Sequence, residues 1–146
     1  MNTIIAIGSD HAGSQLKEYL LKELKIKGYN LKNFGTDSEE SVDYPDIIHP
    51  LASAVDKGEI SRGIIMCGTG NGVSMVANKY PNVRAALCWN EDITRLARQH
   101  NDANILALPA RFISKELALS LVEIFLSTPF EGGRHERRIQ KISKKL

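Results

Sequence analysis

Residues Gly63-Ile64-Ile65-Met66-Cys67-Gly68-Thr69-Gly70-Asn71-Gly72-Val73 pass from an apolar strand, through three alternating glycines, into a helical pattern. A short continuous apolar run that ends at a glycine is what a strand buried on both faces looks like. Four further β-rich runs surround it: Thr3–Gly8, Tyr29–Phe34, Ala85–Cys88 and Ile105–Leu108. The run from Tyr29 is the more polar one and suits a sheet edge. Between the strands lie helical stretches. Leu16, Leu20 and Leu24 recur at i, i+4 and i+8 ahead of Gly28, and a second stretch runs from about Pro45 to Lys57, ended by Gly58. Val73, Val76, Ala77 and Tyr80 mark a third before Pro81. Asn90 and Ser114 are placed to cap a fourth and a fifth, and a last helix begins near Gly133. Strict alternation of β and α predicts an α/β fold, a parallel sheet with helices on both faces. In such sheets ligands bind outside the carboxyl ends of the strands, where strand order reverses. The loops after the first and third strands carry the most chemistry, as expected if those strands flank that point.

The bulk composition narrows the function classes. With 146 residues, 42% of them apolar and 25% charged, residues 1–146 suit a single domain with its own core. No apolar run approaches the length of a membrane span. Thr3–Ile7 stops at Gly8 and has no basic lead, so it reads as a strand and not as a signal peptide. Cys67 and Cys88 form neither a disulfide framework nor a zinc spacing, and a reducing, cytoplasmic compartment is expected. His11, His49, His100 and His135 are scattered outside any metal motif, so neither metal nor cofactor is expected. The net charge of +2 hides a division: from Arg134 onward six bases face one acid, while the rest of the chain is net acidic. That pattern suits a local anion site, or a solvated basic helix face, better than a nucleic-acid coat. No aromatic residues interleave with these bases as a single-strand platform would need.

The glycine loop is the strongest chemical feature. Gly68, Gly70 and Gly72 let a ligand approach the backbone, and the helix start after them offers unpaired amides. Such a nest stabilises a phosphate or a developing enediolate oxyanion. A cysteine beside it is favoured as thiolate, which makes Cys67 a competent base, although a buried structural cysteine before a tight turn fits the same letters. A dinucleotide loop is a further possibility, with Glu91-Asp92 about twenty residues on. Against it, the glycines are spaced G-x-G-x-G and follow the third strand.

Three other groups stand out. Asp10 and His11 sit side by side after the first strand, able to shuttle a proton and bind an anion, or simply to cap a helix. Arg98-Gln99-His100-Asn101-Asp102 closes the fourth helix, and the turn to Asn104 could aim Asn101 and Asn104 at a site. In the last helix Arg134, Arg137, Arg138 and Lys141 share one face. His135, Ile139, Ile142 and Leu146 form an opposite stripe by which it could dock, presenting guanidinium forks to a phosphate. Arg111, after the fifth strand, could join them.

These stretches together resemble the ribose/galactose-phosphate isomerase family, in particular ribose-5-phosphate isomerases of type B. The resemblance runs through Gly8–Gly13, Ser41–Pro45, Cys67–Gly72, Ala77–Lys79, Arg98–Asn104 and Glu131–His135. It implies a Rossmann-like three-layer α/β/α sandwich with a five-stranded parallel sheet, and a homodimer with shared active sites, or a tetramer of two such dimers. The implied reaction interconverts ribose 5-phosphate and ribulose 5-phosphate in the pentose phosphate pathway. Allose 6-phosphate or galactose 6-phosphate are alternative substrates. Cys67 would be the base, Thr69 and the amides of Gly68, Gly70, Asn71 and Gly72 would hold the enediolate, and Asp10 and His100 would assist ring opening. Tyr44 and Asn101 would contact the sugar, and His11, Arg134, Arg138 and Arg111 the phosphate. His100, Asn101 and Arg111 would come from the second subunit. Asn71 and Pro109 depart from the family pattern at a position often apolar and at one often glycine.

Overall fold

The computed structural model describes residues 3–145. Five parallel strands, β1 (Ile4–Ser9), β2 (Asn30–Asn33), β3 (Arg62–Cys67), β4 (Ala85–Leu87) and β5 (Ile105–Pro109), form one sheet in the order β2-β1-β3-β5-β4. The polar run is an edge strand, as its composition predicts, and the short β4 is the other edge. Strand order reverses between β1 and β3, so the Asp10 and Cys67 loops flank the crevice.

Six helices cover the sheet: α1 (Ser14–Ile26), α2 (Tyr44–Asp56), α3 (Asn71–Ala77), α4 (Glu91–Asn101), α5 (Lys115–Ser127) and α6 (Arg134–Gln140). The result is a three-layer α/β/α, Rossmann-like sandwich. Alternation along the strands divides the core. Ile64, Met66, Leu106 and Leu108 face Leu20, Leu24, Leu121 and Phe125, while Ile65, Cys67, Ile105 and Ala107 face Ile48, Leu51, Val55 and Val73. All but Val55 and Cys67 of these are completely buried, and full burial of one such aliphatic side chain contributes about 1.5–3 kcal/mol. Asn90 and Ser114 cap as expected, accepting from the amides of Ile93 at 2.9 Å and Leu117 at 3.0 Å.

Two asparagines substitute for missing backbone. Asn78 gives its amide group to the Ala85 carbonyl (3.0 Å) and accepts from the Ala85 N–H (2.8 Å) at the open edge of β4. Asn104 accepts from the Arg84 N–H (2.8 Å) and donates to the Asn82 carbonyl (2.8 Å). Its side chain is thus committed to the fold and is not aimed at a site with Asn101.

Candidate active site

At the carboxyl end of β3, Cys67 is buried and its Sγ accepts the Gly70 N–H at 3.1 Å. A thiolate accepts such a bond more strongly than a thiol does. Gly70 has φ +78°, open to glycine at little cost, and a β-carbon there would fall 2.4 Å from Leu87 Cδ1. Thr69 is exposed at the apex, its Oγ1 accepting the Asn71 N–H at 3.2 Å. Two of the amides expected to serve an oxyanion therefore have internal partners, which leaves Thr69 and the amides of Gly68 and Gly72 as the loop's candidates.

Neighbouring loops close over this one. Tyr44, at the start of α2, lies against Gly72, where a β-carbon would come within 2.6 Å of Tyr44 Cζ. Arg111 lies over Gly68 in the same way, 3.2 Å from the corresponding point, and its N–H donates to the Gly68 carbonyl at 3.0 Å. Expected from a second subunit, Arg111 instead lies beside the Cys67 loop of its own chain. Across the crevice Asp10 caps the turn His11–Gly13, Oδ1 accepting the Gly13 N–H at 3.1 Å. So the helix-capping use of Asp10 is real and occupies one carboxylate oxygen. His11 Nδ1 accepts the Val42 N–H at 3.1 Å. Beside the loop a cleft of about 330 Å³ is lined by Thr69, Asn71, Leu87, Trp89, Pro109 and Phe112, with Trp89 and Phe112 half or more exposed. Asn71 and Pro109, the two departures, both lie on this wall.

A second group stands at the other end of the sheet. α4 starts past the carboxyl end of β4 and returns to Asn101 just before β5 begins, so His100 and Asn101 lie at the amino ends of the strands. α6 packs on α4 there, and the Glu131 N–H donates to the Gln99 carbonyl at 3.0 Å. The rings of His100 and His135 stack with centroids 4.3 Å apart, and Glu131 Oε1 is 3.7 Å from His100 Nε2 and 3.6 Å from His135 Nε2. Desolvation, then His100 and Arg134, hold the His135 ring below the ordinary imidazole range. Scattered in sequence, these three residues could offer ligands to a cation. The arginines of α6 make the place better suited to an anion. Arg134 and Arg138 are exposed beside it. α6 is shorter than its pattern suggested: His135 is buried and Ile139 half-buried, but Ile142 is 60% exposed, so the apolar stripe docks only at its first turn. Leu146 lies outside the described residues.

The sequence-predicted residues thus fall into two constellations at opposite ends of one sheet. Asp10, His11, Tyr44, Cys67–Gly72 and Arg111 form one; His100, Asn101, Arg134 and Arg138 form the other. Sequence reading missed Val42, Glu131 and His135 as parts of these arrangements. The Ser41–Pro45 and Glu131–His135 stretches carried the signal for them.

The model of the family described as Ribose/Galactose Isomerase matches residues 5–142. The chain belongs to the ribose/galactose isomerase family. It is 42% identical over 139 residues to ribose-5-phosphate isomerase B of Escherichia coli, covering 95% of this chain and 93% of that one. The crystal structure of a ribose 5-phosphate isomerase from Thermotoga maritima superposes with a TM-score of 0.95 at 53% identity, over 98% of this chain and 99% of that one. Ribose-5-phosphate isomerase B from Mycoplasma genitalium, solved with bound ribulose-5-phosphate, gives 0.93 at 43% identity, over 98% and 95%. Membership in the ribose/galactose isomerase family sets aside the dinucleotide reading of the glycine loop. No helix among the described residues is long and apolar enough to cross a membrane.

Proposed function

We propose that this chain interconverts ribose 5-phosphate and ribulose 5-phosphate, in a homodimer whose two sites are each completed by the second copy. The observation that carries the reading is the Cys67 loop, placed under Tyr44 and Arg111 at the reversal point of the sheet. Family relatives at 42–53% identity named for this reaction support the substrate.

The chemistry follows from the geometry. With the aldose open, the Cys67 thiolate takes the proton on C2; the C–H pair becomes the C1=C2 bond and the O1 carbonyl oxygen becomes anionic. Thr69 and the amides of Gly68 and Gly72 meet that charge. The thiol then returns the proton to C1, while the hydroxyl proton of O2 moves to O1, leaving the ketose. His11 and Arg111 hold the phosphate from this chain, and Arg134 and Arg138 from the second copy. His100 of the second copy, with Asp10, opens the ring, and Asn101 contacts the sugar. Exposed Trp89 and Phe112 beside the loop and Ile142 on the basic segment are surface that a second copy would cover. A reducing cytoplasm would keep Cys67 and Cys88 as the free thiols they are.

The test is direct: purified protein, ribose 5-phosphate and EDTA, with ribulose 5-phosphate followed over time. Turnover that requires added metal, or none with any sugar phosphate in a panel including allose 6-phosphate and galactose 6-phosphate, overturns the proposal.

A further inference from the structure

Lys17 is 1% exposed, on the same buried face of α1 as Leu20 and Leu24. Burying an ammonium is costly unless its donors are met. Here one short stretch of chain meets two of the three. Nζ donates to Asn33 Oδ1 at 3.1 Å and Asp37 Oδ1 at 2.7 Å, and Asn33 Nδ2 donates to the same Asp37 oxygen at 2.8 Å. The Lys17 ammonium, then the Asn33 amide, hold the Asp37 carboxyl below the usual carboxylate range. The stretch is pinned again where Ser9 donates to the Gly35 carbonyl and accepts the Thr36 N–H, both at 2.7 Å, and where Gln15 donates to Glu39 at 2.6 Å. Its far end presents the Val42 N–H to His11 Nδ1 and then enters α2 at Tyr44.

A backbone N–H can only donate, so Nδ1 of His11 is the acceptor and a neutral ring carries its proton on Nε2. We propose that Lys17 is a positioning residue: by clamping segment 33–42 it holds the Val42 amide on His11 and so fixes the tautomer that leaves Nε2–H as the ring's donor to an anion. The inference rests on the reading of His11 as a phosphate ligand. It assigns to a buried lysine on α1 a part in binding that no contact with substrate would give it. Without the clamp, Val42 moves off the ring, either nitrogen can hold the proton, and a fraction of His11 offers the anion an acceptor.

Long-range proton–nitrogen correlation NMR on the full ¹⁵N-labelled chain separates the two tautomers, with His11→Gln identifying the signals. The wild type should show His11 protonated on Nε2. Lys17→Met and Asp37→Ala should give mixed tautomers and an affinity for inorganic phosphate ~5–10-fold weaker, the scale of one lost hydrogen bond. In turnover KM should rise by a similar factor while kcat stays within about threefold. A wild-type ring protonated on Nδ1, or variants that keep the tautomer or the phosphate affinity unchanged, overturns the proposal. Should Lys17→Met fail to fold, Asp37→Ala decides, because the Asp37 side chain is 74% exposed. Wild-type protein that turns over no sugar phosphate yet shows both responses would sink the isomerase reading and leave this one standing.

Discussion

Tyr44 and Gly72 are in contact that no side chain could share: a β-carbon at position 72 would fall 2.6 Å from Tyr44 Cζ and 2.8 Å from Cε1. The glycine is therefore there for its neighbour's ring. Gly72→Ala should drive Tyr44 off the loop without unfolding the chain, since Tyr44 is 37% exposed and can swing outward. KM for ribose 5-phosphate is expected to rise ~10-fold or more, as for a lost positioning contact, with a melting temperature close to that of the wild type. Unchanged kinetics would mean that Tyr44 does not touch the sugar.

Cys67→Ala should lower kcat by at least ~10²-fold, the scale of a lost general base. Stopped-assay kinetics beside a thermal melt separate this from unfolding. Full turnover in the variant would place the base elsewhere.

Arg138→Ala should act mainly on KM, because a remote phosphate ligand contributes largely uniform binding. The expected rise is ~10-fold, and it should shrink as salt is added. If KM holds steady, α6 is only a solvated basic face.

Burial pushes the Cys88 thiol up to about 11, against an ordinary value of 9.0. The sign follows from proton linkage. Below pH 9 the thiol is protonated in both folded and unfolded chains, and stability is unaffected. Between pH 9 and about 11 the unfolded chain releases this proton and the folded one keeps it, so stability falls as pH rises. Denaturant titrations across that window should show the decline in the wild type and a flatter line in Cys88→Ala. At pH 8 an alkylating reagent should leave Cys88 unmodified until the protein is unfolded.

Asn78→Ala would give up two hydrogen bonds, to the Ala85 N–H and carbonyl, at the exposed edge of β4. A loss of about 1–3 kcal/mol in unfolding free energy is expected, with kcat unchanged. Asn78 thus has a fully structural reason for its place in the Ala77–Lys79 stretch.

Much of this was legible in the letters. Apolar runs such as Ile64–Cys67 and Ile105–Leu108 announce strands buried on both faces, and Asn90 and Ser114 announce helix starts, because each pattern is local. The placement of the Cys67 and Asp10 loops at the reversal of strand order was legible for the same reason. What was hidden depends on the path of the chain. Nothing around His100 shows that His135 will stack on it from 35 residues away. Lys17, in line with Leu20 and Leu24, shows no partner until segment 33–37 folds over it, and Asn104 looks like a ligand until Arg84 and Asn82 take both ends of its amide. Tertiary partners decided each case.

The separation of Cys67 from His100 by the length of the sheet has a genetic consequence. If each catalytic centre is assembled from two chains, defects in the two groups are complementary. Cys67→Ala and His100→Ala homodimers should both be nearly inert. Mixed, unfolded and refolded together, they should form heterodimers in which one site collects both lesions and the other escapes both. Random pairing makes half of the dimers mixed, so activity should return to about a quarter of the wild-type level.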